Sequence, residues 1–142
     1  MNIAIGGDHA SPALKQIIID KFTGEGHVFN NFGTDDNSSV DYPDFGHPVA
    51  QAVLGSTADL GIVICGSGNG INMTVNKHAG IRSALCWNTE LAALARQHNN
   101  ANILALPARF ISEEEALDIV DSFLKADFEG GRHQKRVEKI NC

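Results

Sequence analysis

Apolar positions along the chain alternate between short β-rich runs and longer stretches with helical spacing. Asn2–Ile5 reads as a first strand and runs into Gly6-Gly7-Asp8-His9. Ser11 followed by Pro12 predicts a helix start, with Ser as N-cap and Pro at the first helical position. That helix extends to about Phe22 and buries Leu14, Ile17, Ile18 and Phe22. His27–Phe32 is the second strand, and the polar stretch Gly33–Tyr42 is a surface loop. Tyr42-Pro43 opens a second helix with Val49, Ala50, Val53 and Leu54 inward.

Leu60–Cys65 is apolar and β-branched, as expected of a strand buried on both faces. The turn Gly66-Ser67-Gly68-Asn69-Gly70 follows, then a helix from Ile71 to about Lys77. Ile81–Cys86 is a fourth strand, Asn88–Gln97 a helix closed by His98-Asn99-Asn100, and Ile103–Leu106 a fifth strand stopped by Pro107. Ser112 with Glu115 forms a capping box for a helix to about Ala126, and Arg132–Ile140 forms a last charged helix. Strands alternating with helices predict one α/β domain over residues 1–142, a three-layer Rossmann-like fold around a five-stranded parallel sheet. In such folds ligands bind beyond the carboxyl ends of the strands. That rule gathers Asp8 and His9, Cys65–Gly70, and Pro107–Arg109.

The 142 residues suffice for one substantial core, and 43% hydrophobic with 20% charged residues is ordinary for a globular chain. A net charge of −6 argues against broad nucleic-acid binding but leaves room for a small anion held by local arginines. No apolar run is long enough for a membrane span, and the N-terminus is a strand rather than a signal peptide. Cys65, Cys86 and Cys142 are odd in number and lack metal-ligand spacing, which suits free thiols in the cytoplasm.

The glycine turn fits no dinucleotide fingerprint, Walker loop or thiol-phosphatase loop, because Ile71 stands where glycine or arginine is needed. What remains is a backbone nest for an oxyanion beside the Cys65 thiol, against the plainer reading of a tight turn with a core cysteine. Asp8-His9 is a titratable pair at a strand end, or a helix-entry loop in which Asp8 caps N–H groups. His98-Asn99 is equally at home as an ordinary helix terminus. Arg132 and Arg136 share a helical face suited to a phosphate dianion, or belong to a solvated tail helix. Arg109 is a third cation or a surface residue. His27, His47 and His78 show no paired ligand spacing, so no metal is expected.

Taken in order, Gly6-Gly7-Asp8-His9, Asp41-Tyr42-Pro43, Cys65–Gly70, Asn76-Lys77, Gly80-Ile81-Arg82, Arg96-Gln97-His98-Asn99 and Glu129-Gly130-Gly131-Arg132-His133 resemble the ribose-5-phosphate isomerase B family, grouped with galactose-6-phosphate isomerase. The resemblance runs from Asn2 to about Ile140. It implies interconversion of ribose 5-phosphate and ribulose 5-phosphate through a cis-enediolate, without cofactor or metal. It implies Cys65 as the base, His98 as the ring-opening group, Ser67 beside the base, and the Gly66, Ser67, Gly68, Asn69 and Gly70 amides on the enediolate. Asp8, His9, Tyr42 and Asn99 would bind substrate, with Arg109, Arg132 and Arg136 around its phosphate and the last helix joining the site. Members are dimers or tetramers with sites shared between subunits. Ser67 replaces a threonine common in the family and keeps the hydroxyl. The family's other branch carries a glutamate after the glycine loop; here that position is Ile71 and the cysteine is present. A six-carbon sugar phosphate, or a non-catalytic sugar-phosphate sensor, is the rival expectation.

Overall fold

The computed structural model describes residues 1–141, so Cys142, expected as a free tail thiol, lies outside them. The elements run β1 (Asn2–Gly7), α1 (Pro12–Thr23), β2 (Val28–Asn31), α2 (Tyr42–Leu54), β3 (Leu60–Cys65) and α3 (Asn69–Val75). They continue with β4 (Ser83–Leu85), α4 (Thr89–Asn99), β5 (Ile103–Pro107), α5 (Glu113–Lys125) and α6 (Arg132–Glu138). The five strands form one parallel sheet, as expected, in the order β2-β1-β3-β5-β4, which the sequence left open.

Alternation along the central strands divides the interior in two. Ile3, Ile5, Ile62, Ile64, Leu104 and Leu106 face α1, α4 and α5, meeting Ile18, Phe22, Ile119 and Phe123. Ala4, Val63, Cys65, Ile103 and Ala105 face α2 and α3, meeting Val49, Ala50, Ile71 and Val75. Small residues on that second face let α2 come close. A Cβ on Gly61 would lie 2.8 Å from Val49 Cγ1. The chain leaves β1 toward β2 and then returns to place β3 on the other side of β1. The β1–β3 boundary is therefore a topological switch, the usual crevice for a ligand.

Several local expectations change. Leu54 is 45% exposed, not inward, at the last position of α2. Ile17 is only half-buried, and Lys15 takes the inward position beside Leu14 and Ile18. β2 is a sheet edge, mostly solvent-exposed rather than apolar throughout. Ser11 holds the N-cap position of α1 without capping it; its hydroxyl donates instead to the Asp8 carbonyl at 2.7 Å. α3 begins at Asn69, two residues before the expected start, since Gly68 adopts the left-handed conformation (φ 76°) that turns the chain at once. The capping box at Ser112 and Glu115 forms as expected.

Candidate active site

At the carboxyl end of the sheet, three segments converge on Cys65. Its side chain is 4% exposed and points toward the α2–α3 layer. The Asp8 N–H donates to the Ile64 carbonyl at 3.1 Å, joining the end of β1 to β3. The Ala108 N–H donates to the Cys65 carbonyl and the Arg109 N–H to the Gly66 carbonyl, both at 3.0 Å, joining the end of β5 to the same turn. The strand-end gathering expected from the sequence is thus present: Asp8 and His9, the glycine turn, and Pro107–Arg109 are neighbours.

Each glycine of the turn has a packing reason. A side chain on Gly68 would strike Leu85, and one on Gly70 would strike the Tyr42 ring, which lies directly over that residue. Gly66 sits beneath the Arg109 guanidinium, with 3.1 Å between a notional Cβ and Nη1. Ser67 Oγ accepts from the Asn69 N–H at 3.3 Å and steadies the turn. Asp8, 7% exposed, accepts from the Ala10 N–H at 2.9 Å, so the capping reading of this residue is also realised. His9 Nδ1 lies 3.3 Å from the Val40 N–H, which fixes the ring against the β2–α2 loop.

His98, Asn99, Arg132 and Arg136 do not join this cluster within the chain. α4 starts just after β4 and runs back to the loop before β5, so its last residues lie at the amino end of the strands. Eleven helical residues span about 16 Å, the separation between the two ends. Asn99 accordingly lines a groove with Ile81, Arg82, Ala101 and Ile140, at the starts of β4 and β5. Asn100, left-handed at φ 47°, stops α4 as an asparagine is expected to.

That amino-end group has its own organisation. The His98 and His133 rings stack with centroids 4.2 Å apart and 13° between planes. Glu129 Oε1 lies 3.6 Å from His98 Nε2 and 3.7 Å from His133 Nε2. Burial first, then His98 and Arg132, hold the His133 imidazole below its ordinary pKa, with Glu129 opposing. Arg132 and Arg136 are exposed on α6 beside it. His98, Glu129 and His133 bring their ligand atoms within 4.8 Å of one another, the donor set a metal ion would need. Stacked imidazoles send their lone pairs out nearly parallel rather than toward one point, and two arginines adjoin them. The arrangement suits sharing a proton better than holding a cation.

The sequence reading passed over three features. Glu129 appeared only within a motif string, with no hint that it faces two histidines. His47 and His78, 31 residues apart and without paired ligand spacing in the sequence, place Nδ1 and Nε2 2.7 Å apart in the fold. Trp87 and Phe110, 55% and 73% exposed, line a cleft with Ser67, Asn69, Leu85 and Pro107. A lone tryptophan just after the fourth strand and a phenylalanine just after the fifth were the available signal.

The ribose/galactose isomerase family profile matches residues 3–140 of the chain. The chain belongs to that family. The ribose-5-phosphate isomerase B of Escherichia coli is 45% identical over 140 residues, covering 99% of this chain and 94% of that one. Among solved structures, ribose-5-phosphate isomerase B of Clostridium thermocellum is 53% identical with a TM-score of 0.97, covering 99% and 95% of the two chains. The Mycoplasma genitalium enzyme with bound ribulose-5-phosphate is 47% identical with a TM-score of 0.94, covering 98% and 93%. Family membership and sheet order agree with the expected fold class.

Proposed function

We propose that the protein interconverts D-ribose 5-phosphate and D-ribulose 5-phosphate, and that it does so as a homodimer. Each site would join the Cys65 end of one copy to the His98 end of the other. The observation that carries this reading is the Cys65 thiol beside a glycine turn overlaid by Arg109 and bonded, through Ile64, to Asp8. Similarity to isomerases over nearly the whole chain supports the substrate class. The need for a second copy rests on geometry. A five-carbon sugar phosphate cannot bridge about 16 Å of sheet, so Cys65 and His98 meet on one substrate only across an interface. Exposed Trp87 and Phe110 beside the glycine turn offer apolar surface for that interface.

The chemistry follows from the groups present. His98 opens the furanose, and the Cys65 thiolate removes the C2 proton of the open-chain aldose. The negative charge grows on the carbonyl oxygen, where the Gly66–Gly70 amides are positioned to meet it. Cys65 returns the proton to C1 while the O2 proton passes to O1, with the Ser67 hydroxyl at hand. Asp8, His9, Tyr42 and Asn99 hold the sugar, and Arg109, Arg132 and Arg136 the phosphate. The step is a proton transfer within one carbon skeleton, so it consumes neither cofactor nor metal. Operation in the cytoplasm is part of the same proposal.

The test is aldose-to-ketose conversion of ribose 5-phosphate, with allose and galactose 6-phosphates in parallel and a chelator present. Conversion of the pentose, unaffected by chelator and absent from Cys65→Ala, is the expected result. Preference for a hexose phosphate would move the substrate and keep the chemistry. Binding without turnover of any sugar would overturn the enzyme reading in favour of a sensor.

A further inference from the structure

The pairing of His98 with Glu129 carries a role that the ring-opening reading alone does not assign. We infer that Glu129 is the positioning residue of His98: it holds a proton on Nε2 and thereby makes Nδ1 the nitrogen that works on the sugar ring. This inference rests on His98 being the ring-opening group.

Two independent restraints act on the His98 ring. One face is stacked on His133, which is 7% exposed and so is itself a fixed platform. The Nε2 edge faces the Glu129 carboxylate at 3.6 Å. A carboxylate accepts only, so it selects the tautomer with hydrogen on Nε2 and leaves the Nδ1 lone pair free. Glu129 is in turn tied to α4, its own N–H donating to the Gln97 carbonyl at 3.0 Å, next in the chain to His98. Gly130 and Gly131, with φ of 64° and 55°, then reverse the chain so that His133 returns over the ring. The segment Glu129–His133 thus meets the His98 ring on one face and one edge.

Ring opening then balances as follows. Nδ1 takes the proton of the anomeric O1–H, C1=O1 forms, the C1–O4 bond breaks, and O4 takes a proton from water. The imidazolium so formed has its Nε2–H on Glu129, which stabilises the new positive charge. The 3.6 Å gap is the free-protein distance; such contacts shorten when substrate is bound.

Direction of reaction separates this role from a structural one. Ribulose 5-phosphate carries its phosphate on the only oxygen that could close a furanose, so it is open-chain and needs no ring opening. Exchange of its C1 hydrogen with deuterium from solvent reports proton transfer by Cys65 alone. Glu129→Gln is measured for conversion of ribose 5-phosphate and for this exchange, with His98→Ala beside it and thermal unfolding as a check on folding. The expected result is a loss of about ten-fold in the aldose direction, with exchange kept within about two-fold of wild type. Equal losses in both measurements, or none in either, would overturn the positioning role. If His98→Ala shows the directional split and Glu129→Gln does not, only the Glu129 inference falls. If His98→Ala shows no split, the ring-opening assignment itself falls.

Discussion

The Arg109 N–H donates to the Gly66 carbonyl while the Arg109 guanidinium lies against the Gly66 α-carbon, so one residue both ties and covers the turn beside Cys65. A methyl group on Gly66 would meet only the movable end of that arginine, 3.1 Å away at Nη1. Gly66→Ala is therefore expected to fold normally and to raise KM several-fold by displacing the cation proposed to bind phosphate, with kcat changing less. Gly68→Ala differs: it forces a left-handed residue against Leu85 and is expected to cost about 1–2 kcal/mol in backbone strain, before any clash is counted. Steady-state kinetics and denaturant unfolding of the two variants check the contrast. Equal stability of both would show that the turn is not held in its present conformation.

The thiols should react unequally. Burial pushes the Cys86 thiol up to about 12, so it stays protonated through neutral and mildly alkaline pH. Its Sγ donates to the Ala84 carbonyl at 3.7 Å, in keeping with a core role. Cys65, though 4% exposed, ends β3 beside the glycine turn, where the proposed substrate would bind. Iodoacetate at mildly alkaline pH is expected to inactivate the enzyme by modifying Cys65 and to leave Cys86 unmodified, with ribose 5-phosphate slowing the inactivation. Peptide mapping by mass spectrometry reads the outcome. Inactivation that tracks Cys86 would remove Cys65 from its proposed role.

How much of this was legible in the sequence depended on range. Strand and helix identity came from local alternation, and the Ser112–Glu115 capping box from a four-residue spacing. The convergence of Asp8, Cys65 and Arg109 came from one topological rule about strand ends. Strand order, by contrast, depends on which crossovers return over which face, and nothing local encodes it. Lys15 shows the same limit. On an apolar helix face it reads as an ordinary surface lysine, yet it is 1% exposed, and its Nζ donates to Asn31 Oδ1, the Thr34 carbonyl and Asp35 Oδ1 at 2.6–2.9 Å. Its partners lie 16 to 20 residues away, in a loop that in turn pairs Gly33 and Thr34 with Gly7, just before Asp8. The His98 end was legible as residue types but not as a place, since only the direction of α4 reveals that it faces away from Cys65.

His133 predicts a pH dependence of stability. Its pKa is lowered in the fold by burial, His98 and the neighbouring arginines, so the unfolded chain binds that proton more readily. The associated stability is complete above the unfolded value of about 6.5 and is lost as pH falls through it toward the folded value. His133→Gln removes this contribution. Its melting temperature is expected to fall less than that of wild type between about pH 7.5 and pH 5.5, the interval around the ordinary histidine pKa. Parallel slopes would show that His133 is as readily protonated folded as unfolded.

A shared site makes the sharpest prediction, because two inactive variants should rescue one another. Cys65→Ala removes the proposed base at one end of the sheet and His98→Ala the proposed ring-opening group at the other. In a dimer of one copy of each, the site formed by the intact Cys65 end and the intact His98 end contains every group it needs. The second site of the same dimer carries both lesions. Unfolding and refolding an equal mixture gives half mixed dimers, hence about a quarter of wild-type activity from parents that have almost none. If each site were instead built within one chain, every site in the mixture would keep one lesion and activity would stay at the parental level. Conversion of ribose 5-phosphate before and after co-refolding distinguishes the two. Separately refolded and then mixed variants are the control, since a gain there would report subunit exchange rather than refolding and would still require the shared site.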